Sequence, residues 1–426
     1  MMYVTTFKID LTNRLKRLKR LKRFKRLKRL KPTKLPKPQH MNPKIIQNIK
    51  TSFIEKFREE PRIFRSPGRV NILGEHTDYN EGFVLPASID KNIYIAISKR
   101  TDHVINLYAT DFNEQFTGDI NHIEKSTVQW ANYILGVTDQ LLKKGYTLSG
   151  FNAVIDGDVP IGAGLSSSAA LECAGIYALN DIFQLGLSNI DMVPMAQKAE
   201  HVFAGVHCGI MDQFASMFGK QNHVIKLDCR SLTYEYVPFR LEGYKILLLN
   251  SNVKHNLASS EYNTRRMQCE KAVSLIQQHH PEVKSLRDAG MDMLKQFVEP
   301  VDPLVFNRSK YVVQENERLL GACEDLKNAD IMSLGAKMYQ THLGLKDLYE
   351  VSCKELDFLV DFVKGKSGVS GARMMGGGFG GCTINLVKEE AIEILVKEIS
   401  IAYEKEMNLP LTAYVASIEN GTGICV

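Results

Sequence analysis

The sequence predicts a mixed α/β (α+β) protein with two folded domains. Its 426 residues exceed the roughly 100–200 residues of a typical domain. Hydrophobic residues make up 44% of the chain and charged residues 24%, which is typical of a globular protein with a large buried core. Segments with alternating apolar residues, such as 91–98, are interspersed with longer segments of helical periodicity, such as 128–143. These observations exclude a disordered or collagen-like chain.

The predicted elements begin with a helix in the segment 42–60, which follows Met41. Short runs rich in β-branched and aromatic residues predict strands at 91–98, 104–109, 151–156, 244–250, 369–374, 382–387 and 411–418. Longer periodic segments predict helices at 128–143, 168–184, 190–205, 260–279, 311–327, 330–350, 354–364 and 389–407. Three prolines predict an irregular segment at 281–308. We place a boundary near 235–245, between domains 41–240 and 241–426.

Residues 1–40 are predicted to be a basic low-complexity extension that is disordered. They contain 15 Lys and Arg residues and one acidic residue, Asp10, so their net charge is +14. The whole chain has a net charge of +6, so the rest of it carries −8. Leu or Phe recurs at every third position from 15 to 30, which does not match the 3.6 residues of a helical turn. Contact with nucleic acid or an acidic membrane is the competing hypothesis, and Met41 is an alternative start.

The sequence predicts a cytoplasmic protein. No run of about 18 apolar residues occurs, and the basic first segment lacks the apolar core and cleavage site of an export signal. The eight cysteines are scattered, without the closely spaced Cys and His pairs that bind zinc. We expect reduced thiols and a monomer whose body contacts neither nucleic acid nor membrane.

Glycines and hydroxyl groups come together in Pro160–Ala170 (PIGAGLSSSAA), between a predicted strand and a predicted helix. Glycines allow the backbone to approach a bulky anion, and N–H groups at the start of a helix point toward it. Serine hydroxyls are suitable ligands for a hard metal ion. An ordinary turn with a serine cap is the alternative interpretation.

Three further clusters carry candidate functional groups. Arg65–Asn80 (RSPGRVNILGEHTDYN) combines side chains that donate to and accept from sugar-like hydroxyls, although a solvated charged loop is the alternative. Gly371–Cys382 (GARMMGGGFGGC) contains six glycines, which indicate close backbone approach or a flexible hinge. The fourth and weaker cluster comprises Glu200, His201 and Cys208–Phe214.

Taken together, these clusters resemble the motifs of the GHMP kinase superfamily. GRVNILGEHTDYNEG (68–82) is similar to the signature of the galactokinase family, with only the order of Ile72 and Leu73 exchanged. PIGAGLSSSAA resembles the ATP loop of the superfamily, and GARMMGGGFGGC resembles its C-terminal glycine motif. The similarity continues in WANYILGV, AEHVFAGVHCGIMDQ and NSNVKHNLASSEYNTRR, and it covers about 41–426 in order. The basic extension has no counterpart in the family pattern.

The resemblance implies a ribosomal-S5-like N-terminal domain and a ferredoxin-like C-terminal domain, with the active site in the cleft between them. It implies that ATP, with Mg²⁺, phosphorylates the anomeric hydroxyl of α-D-galactose. The products are α-D-galactose 1-phosphate and ADP, in the first committed step of galactose catabolism.

The resemblance also implies roles in nucleotide binding. The backbone of the Gly-rich segment cradles the ATP phosphates, and Ser168 and Glu200 hold Mg²⁺. Trp130 lies beside adenine, although an ordinary core position is the alternative. The residues assigned to ATP are Pro160, Gly162, Ala163, Gly164, Leu165, Ser166, Ser167, Ser168, Ala169 and Trp130.

For the acceptor, the resemblance implies that Asp212 lies beside the anomeric hydroxyl, as general base or electrostatic anchor. Arg69 then lies close to both Asp212 and the transferring phosphoryl group. Since the transition state of phosphoryl transfer is largely dissociative, we favour alignment by Asp212 with late proton transfer. The residues assigned to the sugar are Glu75, His76, Asp78, Gly209 and Tyr262, with Asp78 reading the axial O4 region.

Three alternatives remain at this point. The first is a kinase for another sugar, such as N-acetylgalactosamine or arabinose. The second is a regulator that binds galactose and ATP without catalysis. The third is a nucleic-acid binder that acts through its basic extension. The Ser-Ser-Ser-Ala-Ala stretch is complete through Ala170, which favours catalysis over regulation.

Overall fold

The computed structural model describes residues 41–240, 242–253 and 258–425. The predicted disorder of residues 1–40 therefore lies outside the described residues. Strands β1 to β13 are, in chain order, Arg62–Asn71, Phe83–Val84, Pro86–Lys99, Val104–Ala109, Glu114–Asp119, Phe151–Gly157, His223–Asp228, Tyr234–Pro238, Tyr244–Asn250, Val369–Met374, Cys382–Lys388, Thr412–Ala416 and Gly423–Ile424. Helices α1 to α11 are Pro43–Phe57, Ala131–Lys143, Ser167–Ile182, Asn189–Ala199, Met211–Phe218, Ala258–Gln277, Met291–Met293, Pro303–Lys327, Ile331–Leu343, Lys354–Val363 and Ile392–Met407.

The first sheet contains six strands in the order β13-β1-β3-β6-β4-β5. Its neighbouring strands are antiparallel except for β4 and β6, which run parallel. Helix α1 covers one face, where Ile49 and Phe53 are fully buried against β3 and β6. Helices α2 to α5 form the larger core on the other face, and α3 and α5 pack directly on β1 and β3. This packing places the N-terminus of α3 beside β1.

The second sheet is antiparallel, in the order β10-β11-β9-β12, and a third contains β2, β7 and β8. Helix α9 packs on β10, and α10 and α11 cover a core that includes Leu247 and Leu249 of β9. One hydrophobic cluster joins Val70 of β1 with Leu248 and Leu386 of the second sheet. The two sheets are therefore connected by continuous apolar packing.

The C-terminal part of the chain returns to the first sheet. Strand β13 pairs antiparallel with β1, where Phe64 lies opposite Ile424 and Arg65 opposite Gly423. Ile418 also forms an isolated bridge with Ile89 of β3. The first sheet is thus completed by residues from the far end of the sequence, while the predicted division at 240 and 241 stays a prediction.

The predicted irregular segment 281–308 is wrong in part. Residues Met291–Val298 form helical turns, and α8 begins at Pro303. Asp302 caps α8 by accepting from the N–H groups of Leu304 and Val305. Proline fits the first turn of a helix because the N–H it lacks has no partner there. Pro303 therefore marks the start of a helix, whereas Pro281 and Pro300 lie in turns.

The alternative of a solvated charged loop at Arg65–Asn80 is also wrong. Residues 65–71 belong to β1 and are buried, and Arg65 is only 1% exposed. Its guanidinium donates to Asn92 of β3. Sequence periodicity missed this strand because its charged residues are buried against distant partners.

Two further structural features bear on the predictions of compartment and thiol state. No helix in the described part of the chain is long and apolar enough to cross a membrane. All eight cysteines lie in that part and are free thiols.

Candidate active site

A cavity of about 130 Å³ lies between β1, the start of α5, α6 and the glycine-rich turn between β10 and β11. Residues assigned from the sequence to catalysis and to the sugar come together in its wall with Glu200, one of the two residues assigned to the metal ion, whereas Ser168 does not line it. The assigned residues that line it are Arg69, Glu75, His76, Asp78, Glu200, Gly209, Asp212 and Tyr262. Segments that are up to 300 positions apart in the sequence therefore meet at one site.

Arg69 and Asp212 form a bidentate ion pair in this wall. Arg69 Nε donates to Asp212 Oδ1 at 2.7 Å, and Nη2 donates to Oδ2 at 2.9 Å. Ser166 Oγ donates to the same Oδ2 at 2.5 Å. Burial alone would lower the pKa of Arg69, but the charges of Asp212 and Glu75 outweigh it and raise the pKa. Arg69 is therefore a permanent cation in a desolvated site, where its charge is weakly screened.

Arg69 also connects β1 to the Gly-rich segment. Its Nη1 donates to the carbonyl oxygen of Gly164 at 2.6 Å, and its backbone N–H donates to that of Leu165 at 3.0 Å. A β-carbon at the preceding Gly68 would lie 2.7 Å from the Leu165 carbonyl oxygen, so this approach requires glycine. The Arg69 guanidinium thus hydrogen-bonds both the Gly-rich segment and Asp212.

The Gly-rich segment has the geometry of an anion-binding loop. Gly162 and Gly164 have φ angles of +73° and +74°, and Ser166 has a φ angle of +58°. Helix α3 begins at the next residue, Ser167, so its first N–H groups point into the loop. Ala163 and Leu165 are buried and anchor the loop, while Gly162 is exposed. The ordinary serine-capped turn is not observed, because Ser166 makes no cap hydrogen bond.

Glu75 is fixed by the glycine motif of the second sheet. Its Oε1 accepts from Arg373 Nη2 at 3.1 Å and from the backbone N–H of Gly376 at 2.8 Å. Arg373 is fully buried and also donates to the carbonyl oxygens of Asn71 and Ile72. The end of β1 and the turn after β10 are therefore joined at the cavity.

His76 is neutral and has a defined tautomer. Burial lowers its pKa to about 4. Nε2 lies 3.2 Å from the carbonyl oxygen of Gly377, which can only accept, so Nε2 carries the proton. Nδ1 then accepts from the hydroxyl of Tyr79 at 2.8 Å. Both ring nitrogens of His76 thus have protein partners, and its ring contacts that of Tyr262, with centroids 5.2 Å apart.

Asp78 lies against Gly209 in the wall of the cavity. Its Oδ1 accepts from the N–H of Tyr79 at 3.0 Å. Burial, reinforced by the charge of Asp212, raises the pKa of Asp78 to about 7. A β-carbon at Gly209 would lie 1.8 Å from Asp78 Oδ2, so the carboxyl group has this position only because residue 209 is glycine.

Glu200 and Ser168 form the candidate metal site. Helix α4 continues into a π-helical turn, Glu200–Ala204, that directs Glu200 toward the cavity. The Glu200 carboxyl group accepts hydrogen bonds from Ser168, from Cys208 Sγ at 3.3 Å and from Gln213 Nε2 at 2.7 Å. Burial, with a contribution from Asp212, raises its pKa to about 6. Two hard oxygen ligands in mutual contact fit Mg²⁺, which keeps its other positions for phosphate and water.

Trp130 does not line the cavity. It is half-buried at the start of α2, and its indole N–H donates to Glu114 Oε2 at 2.7 Å. It packs against the core of the first sheet. Its place beside adenine stays a prediction.

Sequence reasoning assigned no role to several residues that build the site. Arg373, Tyr79 and Gln213 each hold one of the assigned side chains. The charge of Arg373 in the otherwise small and apolar strand VSGARM is a signal that could have identified it. Gln213 and Tyr79 carry no comparable signal, because polar residues next to charged ones are common at surfaces.

Family models match three parts of the chain. The GHMP kinases N terminal domain matches residues 132–220, and the GHMP kinases C terminal domain matches residues 322–405. The galactokinase galactose-binding signature matches residues 51–99. Fold and site therefore define a GHMP kinase, an ATP-dependent enzyme of two domains.

Individual relatives identify the family within the GHMP kinase superfamily. A galactokinase of Thermotoga neapolitana is 43% identical over 360 residues, which is 84% of this chain and 98% of the relative. One from a Roseiflexus species is 40% identical over 361 residues, covering 85% of this chain and 92% of the relative. The chain belongs to the galactokinase family.

Solved structures agree with this assignment. Lactococcus lactis galactokinase complexed with galactose superposes with a TM-score of 0.86 at 35% identity, covering 89% of this chain and 100% of that one. Methanococcus jannaschii mevalonate kinase superposes with a TM-score of 0.60 at 20% identity, covering 85% and 100%, and shares the fold.

Proposed function

We propose that this protein transfers the γ-phosphoryl group of ATP to the anomeric hydroxyl of α-D-galactose, with Mg²⁺ as cofactor. The products are α-D-galactose 1-phosphate and ADP. The observation that carries the proposal is the Arg69 guanidinium, which contacts Asp212 and the carbonyl oxygen of Gly164 at the same time. An acceptor held at Asp212 and phosphates held by the Gly-rich loop are then adjacent.

The Gly-rich loop supplies the phosphate site. The N–H groups at the start of α3 and the backbone of Gly162 and Gly164 donate to phosphate oxygens. Ser168 and Glu200 hold Mg²⁺, which when bound neutralises charge on the β- and γ-phosphate oxygens. Arg69 offsets the charge that develops on the transferring group.

Asp212 orients the sugar hydroxyl. Its two oxygens accept two hydrogen bonds from Arg69 and one from Ser166, which leaves one of about four acceptor positions of an ionised carboxylate for the acceptor hydroxyl. The bidentate contact with Arg69 fixes the position of the carboxylate, and in a largely dissociative transition state the orientation of the acceptor matters more than removal of its proton. Asp212 therefore acts mainly by alignment, and it accepts the proton late in the transfer.

The polar wall opposite the loop binds the remaining hydroxyls. Asp78 and Glu75 accept from the sugar, and the backbone of Gly209 and the hydroxyl of Tyr262 complete the pocket. Asp78 discriminates at O4, because an epimer with the wrong hydroxyl leaves a buried polar group unpaired.

The test is a substrate panel with the full chain. ADP release is measured with galactose, glucose, N-acetylgalactosamine and arabinose, with and without Mg²⁺, and ³¹P NMR identifies the phosphorylated carbon. We expect turnover with galactose and Mg²⁺ and a 1-phosphate product. Asp212→Asn serves as the inactive control, because it removes the charge and keeps the shape. Equal turnover of galactose and glucose would overturn the assignment of the sugar pocket.

A further inference from the structure

Gln213 follows Asp212 in α5 and is completely buried. Its Nε2 donates to Glu200 Oε2 at 2.7 Å and to Glu172 Oε2 at 3.0 Å. A side-chain amide has two N–H donors, so both are used by carboxyl groups. We assign the amide with its nitrogen toward the two carboxyl groups, because the reverse orientation would place its acceptor oxygen 2.7 Å from Glu200 Oε2, which is also an acceptor.

Glu172 is the second partner and plays no part in the proposed reaction. It lies on α3, one helical turn after Ser168, and it is 0% exposed and absent from the cavity wall. Burial, reinforced by the charge of Glu200, raises its pKa well above the usual range. Glu172 is therefore an uncharged carboxyl group in the core.

This arrangement is costly for stability alone. Glu172 Oε1 and Gln213 Oε1 have no hydrogen-bond partner among the described residues. A buried polar group without a partner destabilises the folded state, and apolar side chains of similar volume avoid that cost. The hydrogen-bonded chain from Glu172 through Gln213 ends at Glu200, the candidate metal ligand. Its retention in the core therefore indicates a role in the metal site.

We propose that Gln213, anchored on Glu172, is a positioning residue that holds the Glu200 carboxyl group in place for the divalent cation. The inference rests on the proposed function and deepens it. The link joins three segments that must keep register: α3 with Ser168, the π-helical turn with Glu200, and α5 with Asp212. Partners that hydrogen-bond a metal-ligating carboxylate typically contribute about 10–100-fold to metal affinity or activity.

The test compares Gln213→Met with the wild-type protein. Methionine has a similar length but no donor, so Glu200 loses its contact with Gln213. The probe is Mn²⁺, titrated into the full chain with ADP and followed by electron paramagnetic resonance, without turnover. We expect Mn²⁺ to bind about 10–100-fold more weakly, while the Kd for galactose without metal stays within about twofold.

Gln197→Met is the matched control. Gln197 is a neighbouring glutamine whose Nε2 donates to the backbone carbonyl of Cys208 at 3.1 Å rather than to a carboxyl group. We expect its Mn²⁺ affinity to remain close to that of the wild-type protein. A second pair of variants tests the link without changing Gln213. Glu172→Met removes the acceptor for Gln213 and should weaken Mn²⁺ binding. Glu172→Gln keeps an acceptor oxygen for Gln213 and should bind Mn²⁺ with an affinity close to that of the wild-type protein.

The outcomes separate the inference from the proposed function. If wild-type protein binds Mn²⁺ but Gln213→Met or a folded Glu172→Met binds it within about twofold of wild type, the positioning role is overturned. If wild-type protein binds no Mn²⁺ in the presence of ADP, the metal site of the proposed function fails, and the inference fails with it.

Discussion

Gly209→Ala should displace the Asp78 carboxyl group from the cavity wall. The added β-carbon would lie 1.8 Å from Asp78 Oδ2, 2.0 Å from Cγ and 2.6 Å from Oδ1. The φ angle of Gly209 is not in the left-handed region, so alanine introduces no backbone strain at this position. The perturbation is therefore confined to the position of one side chain.

The magnitude follows from the displacement. An ordinary contact requires about 3.4 Å, so Oδ2 must move by about 1.6 Å. A displacement of about 1 Å in a site that orients a reactant can cost about 10²-fold. We therefore expect kcat/KM for galactose to fall by about 10²-fold, equivalent to about 2.7 kcal/mol of transition-state stabilisation.

A double-mutant cycle provides the assay. ADP release is measured for Gly209→Ala, for Asp78→Ala and for the double variant, and thermal unfolding checks that each variant is folded. Because Asp78→Ala removes the atoms that the new β-carbon would meet, Gly209→Ala should cost little in that background. Full additivity of the two losses, or a Gly209→Ala enzyme with near wild-type kcat/KM, would refute the steric argument.

Three other perturbations test separate parts of the site. Burial and the charge of Asp212 raise the pKa of Asp78 to about 7, so its carboxyl group is neutral below that pH and ionised above it. Galactose affinity measured by calorimetry without nucleotide should therefore rise with pH through about 7 and level off roughly one pH unit higher, where the carboxyl group is almost fully ionised, and Asp78→Asn should abolish this dependence. Arg373→Met leaves the buried Glu75 without its cation, so chemical denaturation should show a loss of about 3–5 kcal/mol together with a raised KM for galactose. Deletion of residues 1–40 should leave ADP release unchanged, whereas a large loss of turnover would assign the extension a role in catalysis.

The resemblance of short motifs predicted most of the polar residues that face the cavity, because each motif is one continuous segment of the chain. The Gly-rich loop between a strand and a helix and the cluster at Arg65–Asn80 each contain the polar groups that their chemistry needs. Helix α2, with its helical periodicity, and β9, with its continuous apolar run, were also predictable. The spacing of apolar residues in α2 reports which side faces the core, and the unbroken apolar run of β9 indicates a strand buried on both faces.

Residues that act through distant partners were not predictable. Arg373 contacts Glu75 across 298 positions, and Gln213 contacts Glu172 across 41 positions. Strand β1 was missed for the same reason, since its buried arginines interrupt the expected alternation of polar and apolar residues. Only the folded chain shows which distant side chains these buried groups contact.

Pairing of β13 with β1 has a consequence for synthesis of the protein on the ribosome. At about 5–20 residues per second, residues 423–424 emerge roughly 20–70 s after their partners at 64–65. During that interval one edge of β1 exposes unsatisfied backbone groups, and such edges promote pairing between nascent chains. A fusion placed after residue 426 that hinders docking of β13 should therefore lower soluble yield even though it lies outside the catalytic machinery.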